Sequence, residues 1–148
     1  MDSKTRNRLI AVIVIAAIGA IGACKKKPAG DAPGNEASSK GIGPVSSVTL
    51  GAIDPAMVKE GQELYEGKCA ACHKMDEKVV GPALGGVTKR RTPEWIMNMI
   101  LNPEEMTKQD PTAQALLAEH LTQMTFQNVT EKEARAILEY FRKTDEGK

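Results

Sequence analysis

Two cysteines three residues apart, followed at once by a histidine, constrain this chain more than any other feature. The stretch reads Cys69-Ala70-Ala71-Cys72-His73. On a helical turn, residues at i and i+3 share one face, so both thiols lie on the same side with the imidazole beside them. Such a group can bind zinc, form a redox-active disulfide or attach a prosthetic group through both sulfurs.

Attachment of a prosthetic group fits the rest of the sequence best. C-x-x-C-H is the attachment signature for c-type haem: two thiols bond the vinyl groups at one porphyrin edge, and the histidine binds the iron. A zinc site needs more ligands, and outside these three residues the exported chain offers only His120 as a nitrogen or sulfur ligand. A thioredoxin-like site needs βαβ patterning, which the sequence lacks. We therefore expect one covalently bound haem c, with Cys69 and Cys72 as attachment sites and His73 on the iron.

The first 23 residues have the pattern of an export signal. Lys4, Arg6 and Arg8 precede residues 9–23, which contain no charge. These fifteen residues are short for a membrane span, which needs about 20 apolar residues, but they are typical of a secretory signal. The stretch ends in Ile-Gly-Ala directly before Cys24, which resembles the lipobox of bacterial lipoproteins.

The lipobox resemblance implies cleavage before Cys24 and lipid on its thiol and amine. The alternative is an uncleaved signal-anchor helix in which Cys24 has no special role. Both interpretations predict an exported protein held at a bacterial membrane, facing the periplasm or the outer surface. Residues 24–53 contain Cys24 and then many glycines, prolines and serines without aromatic residues. This composition predicts a flexible tether, with Val45–Ile53 as the part that could pack.

Residues 54–148 have the periodicity of an all-α domain. Apolar residues recur at helical spacing, and the helix starts are marked by N-cap residues, first-turn prolines and one capping box. No alternating strand pattern interrupts them. The start signals and helical stretches are Asp54-Pro55, Thr92-Pro93, residues 113–121, and Thr130 with Glu133.

From about residue 54 to residue 143 the chain resembles the small class I cytochromes c. Residues 81–84, Gly-Pro-Ala-Leu, resemble the family's Gly-Pro-x-Leu after the haem histidine. Residues 124–131 resemble the stretch from the axial methionine to the last helix, although many members have a proline where this chain has Thr125. The resemblance implies a small cytochrome c fold of four or five helices around one haem, with Gly61 where the first and last helices cross.

The resemblance also implies roles for individual residues. Met124 would be the second axial ligand, opposite His73, and the carbonyl of Pro82 would accept the other ring N–H of that histidine. Leu84 would pack on the haem. Two interpretations of Trp95 stay open: its indole N–H bonds a haem propionate, or it is a core side chain whose N–H meets water.

Other ligands stay open as well. Met106 is the second candidate methionine, and His120 would give a bis-histidine haem. The basic run Lys89–Arg91 could pair with propionates, guide a partner or be solvated. The sequence does not decide among these roles.

A haem whose two axial positions are filled by protein leaves no substrate site at the iron, so we expect an electron carrier and not an enzyme. The expected partners are redox proteins: a quinol-oxidising complex, and a terminal oxidase or reductase. Residues 95–130 loosely resemble monohaem lipoprotein cytochromes that accompany nitrous-oxide reductases. A haem-based gas or redox sensor with a labile methionine is the alternative. A dihaem peroxidase would need a second C-x-x-C-H, and the chain has one.

Charge and composition limit the functions and the kinds of core that the sequence allows. The net charge is +1 over the whole sequence, and 13 basic against 16 acidic residues give −3 from residue 54 onward. Nucleic-acid binding therefore has no support. With one tryptophan, two tyrosines and two phenylalanines, a large aromatic core is not expected, and the porphyrin would be the largest buried apolar group. We expect a monomer whose partners dock transiently at the exposed haem edge.

Overall fold

The computed structural model describes residues 38–147, and this range contains α-helices and no strand. The predicted all-α fold is confirmed. Six helices occur in this range, against four or five predicted, because two short helices, Val87–Arg90 and Pro103–Gln109, add to the long ones. The signal segment and the lipobox, including Cys24, lie outside the described residues. The helices are α1 Pro55–Lys68, α2 Val87–Arg90, α3 Pro93–Leu101, α4 Pro103–Gln109, α5 Pro111–His120 and α6 Glu131–Asp145.

Proline in the first turn begins α1, α3, α4 and α5. Proline suits this position because its fixed φ is helical and its missing N–H would have no partner there. The side chains of Asp54, Thr92 and Asp110 accept first-turn N–H groups of α1, α3 and α5. The predicted capping box between Thr130 and Glu133 begins α6. Within the described residues, no helix is long and apolar enough to span a membrane.

The first and last long helices cross at Gly61. Helix α6 packs against α1, α2 and α3 and so forms the centre of the domain. A Cβ at Gly61 would collide with the backbone carbonyl of Ala136, so the crossing requires glycine. One turn later, the Tyr65 ring contacts the rings of Tyr140 and Phe141 at centroid distances of 5.4 Å and 6.0 Å. Three of the few aromatic residues therefore meet at this crossing.

Residues 39–51, which we call the strap, pack on the helical domain. We predicted a tether up to residue 53, with Val45–Ile53 as the part that could pack. Val45 is buried, and the side chain of Asn98 in α3 holds the strap's backbone. Its Oδ1 accepts the N–H of Val45, and its Nδ2 donates to the carbonyls of Lys40 and Val45, each at 2.9 Å. This buried amide, the Met106 sulfur and the Glu94 carboxylate thus supply partners for the strap's backbone from the helical domain. The folded unit therefore begins earlier than the predicted boundary at residue 54.

The C-terminal end of α6 fixes the short helix α2. The buried carboxylate of Asp145 accepts the N–H groups of Gly86 and Thr88 at 2.6 Å and 3.0 Å, and the Thr88 hydroxyl at 2.6 Å. These bonds hold Val87 and Arg90 in the wall of the cavity described next.

Candidate haem-binding site

A cavity of about 330 Å³ collects the predicted site residues that lie in the described part of the chain. It opens between the turn after α1, the loop before α2, helices α3 and α5, and the segment before α6. Most of its lining is apolar. A second cavity, of about 410 Å³ beside residues 50–53, is lined by no cysteine, histidine or methionine. The predicted residues in the first cavity are Cys69, Cys72, His73, Pro82, Leu84, Trp95 and Met124.

The two thiols lie on a turn that continues directly from α1. The N–H groups of Cys72 and His73 both donate to the carbonyl of Cys69, at 3.1 Å and 2.9 Å. Cys69 is partly buried, Cys72 is exposed, and they form no disulfide with each other. Burial raises the pKa of the Cys69 thiol, so in the polypeptide before attachment this group carries its proton at neutral pH. The turn presents both sulfurs to one cavity, as thioether bonds to one porphyrin edge require.

The imidazole of His73 is oriented by groups on several sides. Its Nδ1 lies 3.0 Å from the carbonyl oxygen of Pro82. Because a carbonyl can only accept, this contact places the proton on Nδ1 and leaves the lone pair of Nε2 for a metal. Gly81 lies against the ring, and a Cβ there would collide with it. The Tyr65 hydroxyl donates to the His73 carbonyl at 2.8 Å, and burial, which raises the pKa of this phenol, keeps it a donor.

The two candidate methionines occupy different environments. Met124 lines the cavity. Met106 is fully buried outside the cavity lining, and its sulfur accepts the N–H of Ile42 in the strap at 2.9 Å. Met106 is therefore a core residue, and Met124 stays the predicted second ligand. His120 also lines the cavity, with Nδ1 3.3 Å from the carbonyl of Val80, and stays the alternative nitrogen ligand.

The indole N–H of Trp95 has a protein partner that neither sequence-based interpretation named. Trp95 is buried and lines the cavity, and its Nε1 donates to Oδ1 of Asp110 at 3.1 Å. The sequence marks Asp110 as an N-cap before Pro111, but no local pattern links it to an indole fifteen residues away. Sequence reasoning therefore missed Asp110 as a neighbour of the site.

The basic run splits into different roles. Arg90 and Arg91 line the cavity, whereas Lys89 is exposed. Arg90 donates to the carbonyls of Gly85 and Ala83 at 2.7 Å and 3.3 Å. These bonds brace the loop that carries Pro82 and Leu84. Arg90 is thus a structural neighbour of the histidine's hydrogen-bond partner.

The groups around this cavity fit a covalent haem c. Two thiols, an imidazole with a free Nε2 and a thioether share one apolar cavity, and this is the donor set of histidine–methionine ligation. Any side chain at Gly81 would collide with the His73 ring, so the loop leaves room for the imidazole and for nothing larger than glycine beside it. A redox disulfide or a zinc site would not use the apolar walls.

Known proteins resemble this chain over the part that carries the cavity. A family model described as cytochrome c matches residues 58–145. A solved structure of a cytochrome c from Rhodothermus marinus is 47% identical, with a TM-score of 0.70, covering 72% of this chain and 92% of that one. An engineered cytochrome c from the same organism is 46% identical, with a TM-score of 0.69, covering 71% and 92%.

Two curated relatives are also similar to this chain, one over a shorter stretch and the other at lower sequence identity. Cytochrome c-551 of Stutzerimonas stutzeri is 48% identical over 40 residues, which are 26% of this chain and 38% of that protein. The match therefore spans well under half of that relative. Cytochrome c2 of Rhodopseudomonas palustris is 26% identical over 119 residues, which cover 64% of this chain and 85% of the relative.

Proposed function

This chain belongs to the cytochrome c family, and from that premise we propose that it carries single electrons while a lipid on Cys24 holds it at a bacterial membrane. Cytochromes c bind one covalently attached haem c and are electron carriers, not enzymes. When bound, the haem supplies a one-electron couple between Fe(III) and Fe(II). The observation that carries the proposal is the single cavity shared by Cys69, Cys72, His73 and Met124.

Each of these side chains has one part in the proposed function. Cys69 and Cys72 would hold the haem through their sulfurs, and Nε2 of His73 would bind its iron. The carbonyl of Pro82 keeps that ring in one tautomer and one orientation. The sulfur of Met124 would be the second protein ligand, and methionine favours a higher reduction potential than a second histidine would.

The surface beside Cys72 is where electrons would enter and leave. Cys72 is exposed, whereas the deeper lining, including Ile137 and Phe141, is buried and excludes water. Two apolar residues are exposed in this part of the chain: Val80, which lines the cavity, and Leu121, which is 86% exposed and lies between the lining residues His120 and Thr122. An apolar rim around a solvent-facing edge suits a brief encounter with a redox protein. We propose a quinol-oxidising complex as donor and a terminal oxidase or reductase, such as nitrous-oxide reductase, as acceptor.

Membrane attachment, rather than net charge, would bring the domain close to its redox partners. From residue 54 onward the formal net charge is −3, so strong positive steering toward an acidic partner has no basis here. A lipid on Cys24 would instead keep the domain near membrane-bound partners, which raises their effective concentration.

A haem-based gas sensor is the second candidate function. The segment carrying Met124 is fixed in part by side-chain bonds: Thr107 donates to Gln123, Gln123 donates to the Met124 carbonyl, and Lys68 donates to the Gln127 carbonyl. If these few hydrogen bonds broke, the segment could move the Met124 sulfur away from the haem iron, and a gas could then bind the iron.

The carrier and sensor proposals differ in how the purified holoprotein reacts with carbon monoxide. A carrier keeps the weak ferric charge-transfer band of an iron–methionine bond, and its ferrous form does not bind carbon monoxide readily. Rapid binding would favour the sensor.

Membrane attachment has its own test. We expect the mature protein to begin at Cys24, with an N-terminal peptide heavier than its amino-acid sequence by the mass of the acyl chains. If residues 1–23 are retained and Cys24 is unmodified, the segment acts as a signal anchor and the lipid proposal is wrong.

A further inference from the structure

A buried carboxylate outside the predicted site lies directly behind the cavity wall. Asp110, between α4 and α5, is 3% exposed and accepts three hydrogen bonds. The donors are the indole Nε1 of Trp95 at 3.1 Å, the N–H of Ala113 at 3.0 Å and the Ser39 hydroxyl at 3.0 Å. Trp95 and Ala113 both line the cavity, so two of the three donors to this carboxylate belong to the cavity wall.

The three donors to Asp110 are neutral. Over residues 38–147, none of the ion pairs includes this carboxylate. The cation on this wall, Arg91, lies over the Trp95 ring, 5.4 Å from its centroid, and donates to the carbonyl of Arg90. Burying a charge without a counter-ion is costly. Hydrogen bonds from neutral donors stabilise the charged carboxylate but leave its net charge in place.

Shape and hydrogen bonding alone do not require an aspartate at this position. Asparagine is an equally good N-cap, and its side-chain oxygen could accept the bond from Trp95. The property that distinguishes Asp110 from asparagine here is its negative charge.

We propose that the charge of Asp110 stabilises the oxidised state of the haem site and thereby lowers its midpoint potential. This proposal rests on the proposed function, since it needs a haem in the cavity. Reduction by one electron from a donor redox protein removes one positive charge from the cavity and breaks no bond. A fixed negative charge behind the wall favours the state that still has that positive charge. The low-dielectric interior strengthens this interaction relative to that of exposed charges.

The test is the midpoint potential of the Asp110→Asn holoprotein, measured by optical redox titration. We expect a shift to higher potential that persists at high salt. The matched control is Glu104→Gln, which removes one exposed carboxylate from α4. Its shift should be much smaller and should vanish with salt, because solvent and ions screen it. Two outcomes would show that Asp110 is only a structural cap. One is an equal shift of the midpoint potential in both variants. The other is an unchanged midpoint potential in Asp110→Asn together with an unchanged melting temperature.

A second variant keeps the test decisive if Asp110→Asn does not fold. Ser39→Ala retains the charge but removes a neutral donor whose dipole offsets part of it, so we expect a shift to lower potential. No shift, or a shift to higher potential, contradicts the proposal. Failure of the proposed function would look different: no variant, nor the wild type, would show a one-electron haem couple.

Discussion

The Nδ1 atom of His73 lies 3.0 Å from the carbonyl oxygen of Pro82, nine residues further along the chain. Backbone bonds close the loop between them: the N–H of Gly81 donates to the carbonyl of Cys72, and that of Leu84 donates to the carbonyl of Lys74, both at 2.9 Å. The orientation of the imidazole is thus set by the backbone of a closed loop. A small change in that loop should be visible at the iron.

Gly81→Ala should displace the His73 ring, because the added methyl group would occupy the position of the imidazole. We expect a loss of stability of about 1–3 kcal/mol, as for other overpacked sites, together with an altered ferric spectrum. Thermal melting and electron paramagnetic resonance of the holoprotein measure the two effects. Gly51→Ala is the control, since a Cβ there meets no atom within 4 Å. An unchanged spectrum in Gly81→Ala would show that the loop moves to accommodate the methyl group while the His73 ring stays in place.

The crossing of α1 and α6 predicts that alanine substitutions at two glycines of α1 have opposite effects on stability. Gly61→Ala forces a methyl group against the carbonyl of Ala136, whereas Gly67→Ala meets no atom within 4 Å. The first should destabilise the holoprotein by at least about 1–3 kcal/mol. The second should stabilise it by up to about 1 kcal/mol, because alanine favours the helix. Denaturant unfolding of both variants gives the comparison, and similar values for the two would contradict the close crossing.

Met124→Ala and Met106→Ala separate ligation from packing. Met124→Ala should lose the ferric band of the iron–methionine bond and bind carbon monoxide in the ferrous form. Met106→Ala should keep the band but lose about 2–5 kcal/mol of stability, because it leaves a cavity in the core beneath the strap. Absorption spectra and unfolding curves measure these effects. If the band survives in Met124→Ala, the ligand assignment is wrong.

The capping box of α6 predicts a pH-dependent contribution to stability. Hydrogen bonds from the backbone N–H and hydroxyl of Thr130 hold the pKa of Glu133 below its usual value. A lowered pKa in the folded state means that the stabilisation is complete above the unfolded pKa, about 4.5, and is lost as pH falls through the folded pKa. The stability difference between wild type and Glu133→Gln, measured in urea, should therefore shrink on acidification. A difference that stays constant down to pH 3 would contradict this linkage.

Sequence patterns among neighbouring residues predicted much of this structure, whereas contacts between residues distant in the sequence could not be predicted. The N-caps with first-turn prolines at Asp54 and Thr92 mark helix starts because the cap and the groups it satisfies are neighbours in sequence. Residues 39–44 of the strap were predicted as tether because their own composition cannot form a core. They pack through partners distant in the sequence, among them Asn98 and Met106. The partner of Trp95 was missed for the same reason, since no local pattern shows which buried carboxylate an indole will reach.

Without haem, residues 54–148 should be largely unfolded. The domain is small, and domains of this size are marginally stable on their own cores. Its largest apolar surfaces line a cavity of about 330 Å³ that the porphyrin would fill. The paired variant Cys69→Ala and Cys72→Ala removes the attachment sites, and far-ultraviolet circular dichroism with thermal melting measures the result. We expect low helicity and no sharp transition, whereas Cys24→Ala, which keeps the haem, should melt like the wild type. A compact, cooperatively melting haem-free chain would show that the protein core is sufficient by itself.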